Sequence, residues 1–132
     1  MASSIFTKII NKEIPCFKIA ENDDFIAFLD INPLQKGHTL VVPKKEVDYI
    51  FDNDDEILSK MLPFAKRVSL AIRKVIECNR IGITVIGLEV PHAHMHLIPI
   101  NKESDMNFSS QRISLNKEEL ENLAKNISKV FV

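Results

Sequence analysis

The chain has 132 residues, 45% of them hydrophobic and 27% charged, with 17 basic residues set against 18 acidic ones. That length suits one domain with a real core, and a net charge of −1 with no basic run speaks against a nucleic-acid or membrane surface. The start lacks the pattern of a signal peptide, no segment approaches the ~20 apolar residues of a membrane span, and Cys16 and Cys78 have no CxxC companion, so a cytoplasmic protein with two reduced thiols is expected.

Ser4 is placed to cap a short helix from about Ile5 to Asn11, with Ile5, Ile9 and Phe6 on its inner side. Pro15 ends that unit. Phe17 to Glu21 alternates as a strand, Asn22-Asp23-Asp24 is a turn cluster, and Phe25 to Leu29 reads as the returning strand of a hairpin. Asp30-Ile31-Asn32-Pro33 forms the strand exit, where a carboxylate commonly caps the following turn. Gly37 frees the backbone for a tight turn, His38 follows it, and Thr39 to Val42 reads as a buried strand closed by Pro43.

Asn53-Asp54-Asp55-Glu56 is an acidic helix start. Ile57, Met61, Phe64, Val68, Ala71 and Val75 then recur at spacings of four and three, predicting a long amphipathic helix to about Cys78, kinked or started by Pro63. Arg80 to Ile86 is the next strand, and Gly87 to Pro91 leads out of it. Beyond Pro99 the polar stretch from Asn101 to Gln111 reads as a surface loop. Asn116 with Glu119 resembles a capping box, with Leu115 and Leu120 as its apolar staple, opening a last helix from about Lys117 to Val130. The fold class is therefore α+β: about five mostly antiparallel strands in one sheet, one long helix packed on it, and short helices at both ends.

Chemistry concentrates in Pro91-His92-Ala93-His94-Met95-His96-Leu97-Ile98-Pro99, which holds three of the chain's four histidines. Strict alternation predicts a strand with His92, His94 and His96 on one side and Ala93, Met95 and Leu97 on the other. Same-face neighbours stand about 6.6 Å apart, so two of these rings can converge on a metal with bonds of about 2.0–2.1 Å. The outer pair lies about 13 Å apart, and three ligands to one ion would need a bent strand. The competing reading is imidazole chemistry, one ring as nucleophile and its neighbours setting tautomer and orientation.

The run His92-Ala93-His94-Met95-His96-Leu97-Ile98 resembles the His-φ-His-φ-His-φ-φ signature of the histidine triad family. Ser4-Ile5-Phe6 with Lys8 to Pro15, and Phe28 to Pro33 with Gly37 to Lys44, resemble the family's N-terminal and central stretches in family order. The resemblance covers about residues 4–100 of a single domain spanning 1–132. The tail, 101–132, has no counterpart and no assigned role.

The resemblance implies a nucleotide hydrolase or nucleotidyl transferase acting at an α-phosphate. The substrate would be a nucleoside phosphoramidate, a dinucleoside polyphosphate or another conjugate of a purine nucleoside monophosphate. His94 would attack phosphorus, His92 and His96 would hold the ring and donate to developing charge, and His38 would fix a tautomer from behind. Ile5, Phe6, Ile9, Phe28 and Ile31 would wall the base pocket, with Asn32 in the same motif. Asp30 would accept from ribose hydroxyls, as an acceptor-only group can. Backbone N–H groups from Gly87 through Glu89 to Val90 would meet phosphate oxygens. Homodimers through the long helix and a sheet edge are implied; no metal or other cofactor is. One departure stands out. Gly87-Leu88-Glu89-Val90 replaces a Gly-Gln-Ser/Thr-Val pattern, so a carboxylate stands where a hydroxyl would touch substrate. Glu89 either points away or selects a cationic leaving group or acts as an acid. Two alternatives stay open: a purine nucleotide-binding module with little turnover, and a His-x-His metal-binding protein.

Overall fold

The computed structural model describes residues 3–132. Ser4 caps α1 (Ile5–Ile10), its side chain accepting from the Thr7 N–H at 3.0 Å. The strand β1 (Lys18–Glu21) turns into β2 (Phe25–Leu29) through Asn22, whose Oδ1 accepts from the N–H groups of Asp24 and Phe25. That local satisfaction of two donors is why the polar cluster makes the hairpin turn. β3 (Thr39–Pro43) follows, then a 3₁₀ turn at Ile50–Asp52 and the long helix α2 (Asp55–Val75). β4 (Arg80–Thr84), β5 (Met95–Ile100), a 3₁₀ turn at Glu103–Met106 and α3 (Lys117–Lys129) complete the order.

The five strands form one antiparallel sheet in the order β1-β2-β3-β5-β4. Its two faces bury different sets. Phe25, Ala27, Leu29, Val41, Met95 and Leu97 enter the core under α2 and α3, while Ile26, Phe28, Leu40 and Val42 join Phe6 of α1 on the opposite face. The expected stripe on α2 is the buried one, with Met61, Phe64, Val68 and Ala71 fully covered and Ile57 and Val75 at its margins. Pro63 neither starts nor ends α2. It lies on the exposed side, where the carbonyl that loses its N–H partner meets water. The capping box predicted at Asn116 and Glu119 forms in both directions, at 2.8 and 3.3 Å.

Three expectations need correction. The triad segment is not all strand: β5 starts at Met95, so only His96 of the three lies in the ladder. β4 has already ended at Thr84, and although β3 runs on to Pro43 its ladder with β5 stops at Val41 opposite Met95, leaving His92 and Ala93 outside it. Their N–H groups go to Val90 O and Val47 O instead. The loop after Pro99 contains the 3₁₀ turn. The tail is also far from idle, since Leu120, Leu123, Ala124 and Ile127 of α3 are buried in the main core. Among the described residues, no helix is long and apolar enough to cross a membrane.

Gly37 lets the chain enter β3. Its φ of +93° favours glycine, and a Cβ there would stand 3.1 Å from side-chain atoms of both Ile76 and Pro99.

Candidate active site

The histidines are buried rather than displayed: His38 and His92 are 0% exposed, His94 7% and His96 8%. The row therefore faces the protein interior and its cavity rather than bulk solvent. The hydrogen bonds then fix each ring. His94 lies 2.8 Å by Nδ1 from the backbone oxygen of His92, and a carbonyl only accepts, so Nδ1 carries the proton. The lone pair of His94 is thereby on Nε2. His92 donates through Nε2–H to Pro43 O at 2.7 Å and accepts at Nδ1 from the Ser4 hydroxyl at 2.7 Å.

A second chain starts at a backbone amide. The Leu34 N–H donates to His38 Nδ1 at 3.0 Å, so the neutral ring bears its proton on Nε2 and donates it to His96 Nδ1 at 2.9 Å. The remaining nitrogen of His96 is therefore an N–H donor. Burial, with positive neighbours second, holds His38 down to about 3 and His96 down to about 4. Burial also lowers the pKa of His92. Neutral His38 and His96 keep the relay directional.

His94 and His96 line a cavity of ≈ 450 Å³. Ile5, Phe6, Ile9, Phe28 and Ile31, the expected base-pocket residues, all line it, and so do Asp30, Asn32, Glu89 and Val90. Phe6 holds the corner, its ring centroid 4.9 Å from that of His94 and 5.7 Å from that of Phe28. Asp30 caps the turn that follows β2. One oxygen accepts from the Asn32 N–H at 2.8 Å, capping the exit of β2, and the other lies 3.5 Å from His38 Nε2. Burial raises its pKa.

Two expected residues stand apart from the cavity. His92 does not line it, because both ring nitrogens are engaged by Ser4 and Pro43. It meets His94 through its carbonyl rather than offering a donor to substrate. Gly87 is not a lining residue either. Its φ of +74° sets the turn in front of Leu88 and Glu89.

Asp30, His38 and His96 bring one ligand atom each within 4.8 Å of one another. This is not the His-x-His pair expected for a metal. His38 also has no lone pair to give, since Nδ1 accepts from Leu34 and Nε2 bears the proton.

Sequence reasoning missed Phe108 and Arg112. Both line the cavity from the tail. Phe108 sets its edge against His96, centroids 4.9 Å apart, and Arg112 lies 5.3 Å from the Phe108 centroid while donating to Asn32 O at 3.1 Å. Sequence-distant contacts of this kind carry no local periodicity. The only signal was an aromatic and a basic residue in an otherwise polar loop.

Fold and cavity together define a small α+β protein with imidazoles held in fixed tautomers beside a cavity. Residues 11–103 match the HIT domain. The chain belongs to the histidine triad (HIT) family. It is 38% identical over 136 residues to an uncharacterised HIT-like protein of Borreliella burgdorferi, covering 97% of this chain and 98% of that one. It is 36% identical over 131 residues to an adenosine 5'-monophosphoramidase of Schizosaccharomyces pombe, covering 96% of each. Among solved structures, a HIT-like protein from Bartonella henselae superposes with a TM-score of 0.84 at 33% identity, over 96% of this chain and 95% of that one.

Proposed function

We propose that the protein is a nucleotide hydrolase that cleaves at the α-phosphorus through a nucleotidyl-His94 intermediate. The observation that carries this reading is the 2.8 Å contact of His94 Nδ1 with the His92 carbonyl, beside a cavity of nucleotide size. It leaves Nε2 as a free lone pair and lets the carbonyl stabilise the imidazolium formed when that lone pair bonds to phosphorus. The bond from phosphorus to the leaving group breaks, and the leaving group departs with its electron pair. Water then attacks phosphorus, the P–N bond breaks, and its electrons return to Nε2 as the nucleoside monophosphate leaves.

In this reading His96 donates to the phosphoryl oxygens, with His38 setting its tautomer. His92 positions His94 rather than touching substrate. The base lies against Phe6, Ile9 and Phe28, and Asp30 accepts from ribose. The name of the S. pombe relative favours an amine as leaving group. Glu89, on the cavity wall, suits an amine departing as a cation.

We also infer that residues 1–132 act as one cytoplasmic domain and pair as homodimers. Supporting this, β4 is an edge strand whose Ile83 is 50% exposed, and Leu62 and Leu70 lie exposed on α2.

The test is intact-mass analysis after brief mixing with an adenosine phosphoramidate, quenched in alkali, for wild type and His94→Ala. One transient AMP adduct on wild type alone, with AMP released, is expected. No adduct and no turnover, despite saturable AMP binding, would instead identify a binding module.

A further inference from the structure

The fixed charges on the cavity wall are Asp30, Glu89 and Arg112. A nucleotide brings at least one more negative charge to a wall that already carries two. Neither histidine of the relay offers a positive charge, for both are buried and neutral. Arg112 is thus the one permanent cation lining this cavity among the described residues. It is also largely unused. A guanidinium has five N–H donors, and Arg112 makes one hydrogen bond among the described residues, to Asn32 O, with no carboxylate within ion-pair distance. Its position is not left to a free tail. The next residue, Ile113, donates its N–H to Pro33 O at 3.0 Å, so the tail is tied at two successive points to the loop that carries Asp30 and Asn32. The Phe108 ring packs against the guanidinium, 5.3 Å from its centroid, and against the His96 ring, with centroids 4.9 Å apart. Both residues lie beyond the HIT-domain match, which ends at residue 103.

From this placement we infer that Arg112 is a phosphate-binding residue, its free N–H groups taking the α-phosphate oxygens on the His96 side. The inference rests on the nucleotide reading of the cavity and adds to it a contact supplied by the tail. Arg112 and the His96 N–H would hold the phosphate from one side while His94 Nε2 faces phosphorus. Arginine suits this task because its planar fork meets two phosphate oxygens at once.

Equilibrium binding of AMP and of adenosine to wild type, Arg112→Gln and Arg112→Lys separates the possibilities. Arg112→Gln is expected to weaken AMP by about tenfold or more, while adenosine changes by less than about twofold. Arg112→Lys recovers part of the AMP affinity, since it keeps the charge and loses the fork. Equal weakening of AMP and adenosine would overturn the inference and leave Arg112 a structural tie to Asn32. Unchanged AMP affinity in Arg112→Gln would also overturn it, while the nucleotide reading stands. Wild type that binds neither ligand would remove the nucleotide reading itself and this inference with it.

Discussion

Along β2, Phe25, Ala27 and Leu29 enter the face covered by α2 and α3, whereas Ile26 and Phe28 enter the face covered by α1. β5 divides in the same way, with Met95 and Leu97 on the first face and His96 on the second. The first face gathers eighteen buried hydrophobic residues and the second only five. The difference separates tasks. Close-packed hydrocarbon supplies stability and tolerates no void. The small face holds oriented imidazoles beside a cavity, and the rigid sheet behind them keeps their spacing.

Substitutions on the two faces should therefore fail differently. Ile127→Ala removes a fully buried side chain of α3 from the large core. It should lower unfolding free energy by about 2–5 kcal/mol in urea titrations, with kcat/KM unchanged within about twofold. A loss near zero would show that α3 is not part of the core. Phe6→Leu, on the small face, should cost less than about 1.5 kcal/mol, yet reduce affinity for AMP because the ring at the corner of the cavity is gone. A larger stability loss with full affinity would reverse the proposed division.

Acid should act through the small face. The folded-state values of about 3 for His38 and about 4 for His96 lie below the 6.5 of an exposed ring. The unfolded chain therefore binds more protons through that window. Stability from these rings is full above about pH 6.5 and falls as pH drops, by roughly 1 kcal/mol per pH unit for each ring while the folded form stays neutral. Urea midpoints at pH 7 and pH 5 should show the drop, and His96→Gln should flatten it. An unchanged slope would mean that His96 does not carry the effect.

The smallest expected stability effect belongs to Ser4→Ala, which removes the α1 cap and the hydroxyl on His92 together. About 1 kcal/mol is expected from the cap. Because His92 loses its Nδ1 donor, kcat should fall while AMP affinity holds. A change in stability alone would confine Ser4 to capping.

Much of this was legible in the sequence, for identifiable reasons. The hairpin, the stripe of α2 and the capping box rest on local chemistry, and the triad on its period of two. The sequence could not reveal that the strand starts only at Met95, because that depends on how far its ladders with β3 and β4 extend. The alternation put the imidazole row on one side but could not show that α1, the 108–112 segment and the strands bury all four rings. Arg112 reaches Asn32 across eighty positions, a contact set by the path of the tail rather than by any local pattern.

Ser4 has a consequence beyond its two hydrogen bonds. One hydroxyl closes the first turn of α1 and holds the ring of His92, whose carbonyl holds His94. Fraying at the amino end and loosening of His94 are then coupled through one hydroxyl. A ligand that binds only the closed form must slow hydrogen exchange at the first amides of α1 in proportion to its occupancy. The N-terminal turn thus becomes a reporter of site occupancy at a distance from the phosphate, readable without any assay of turnover.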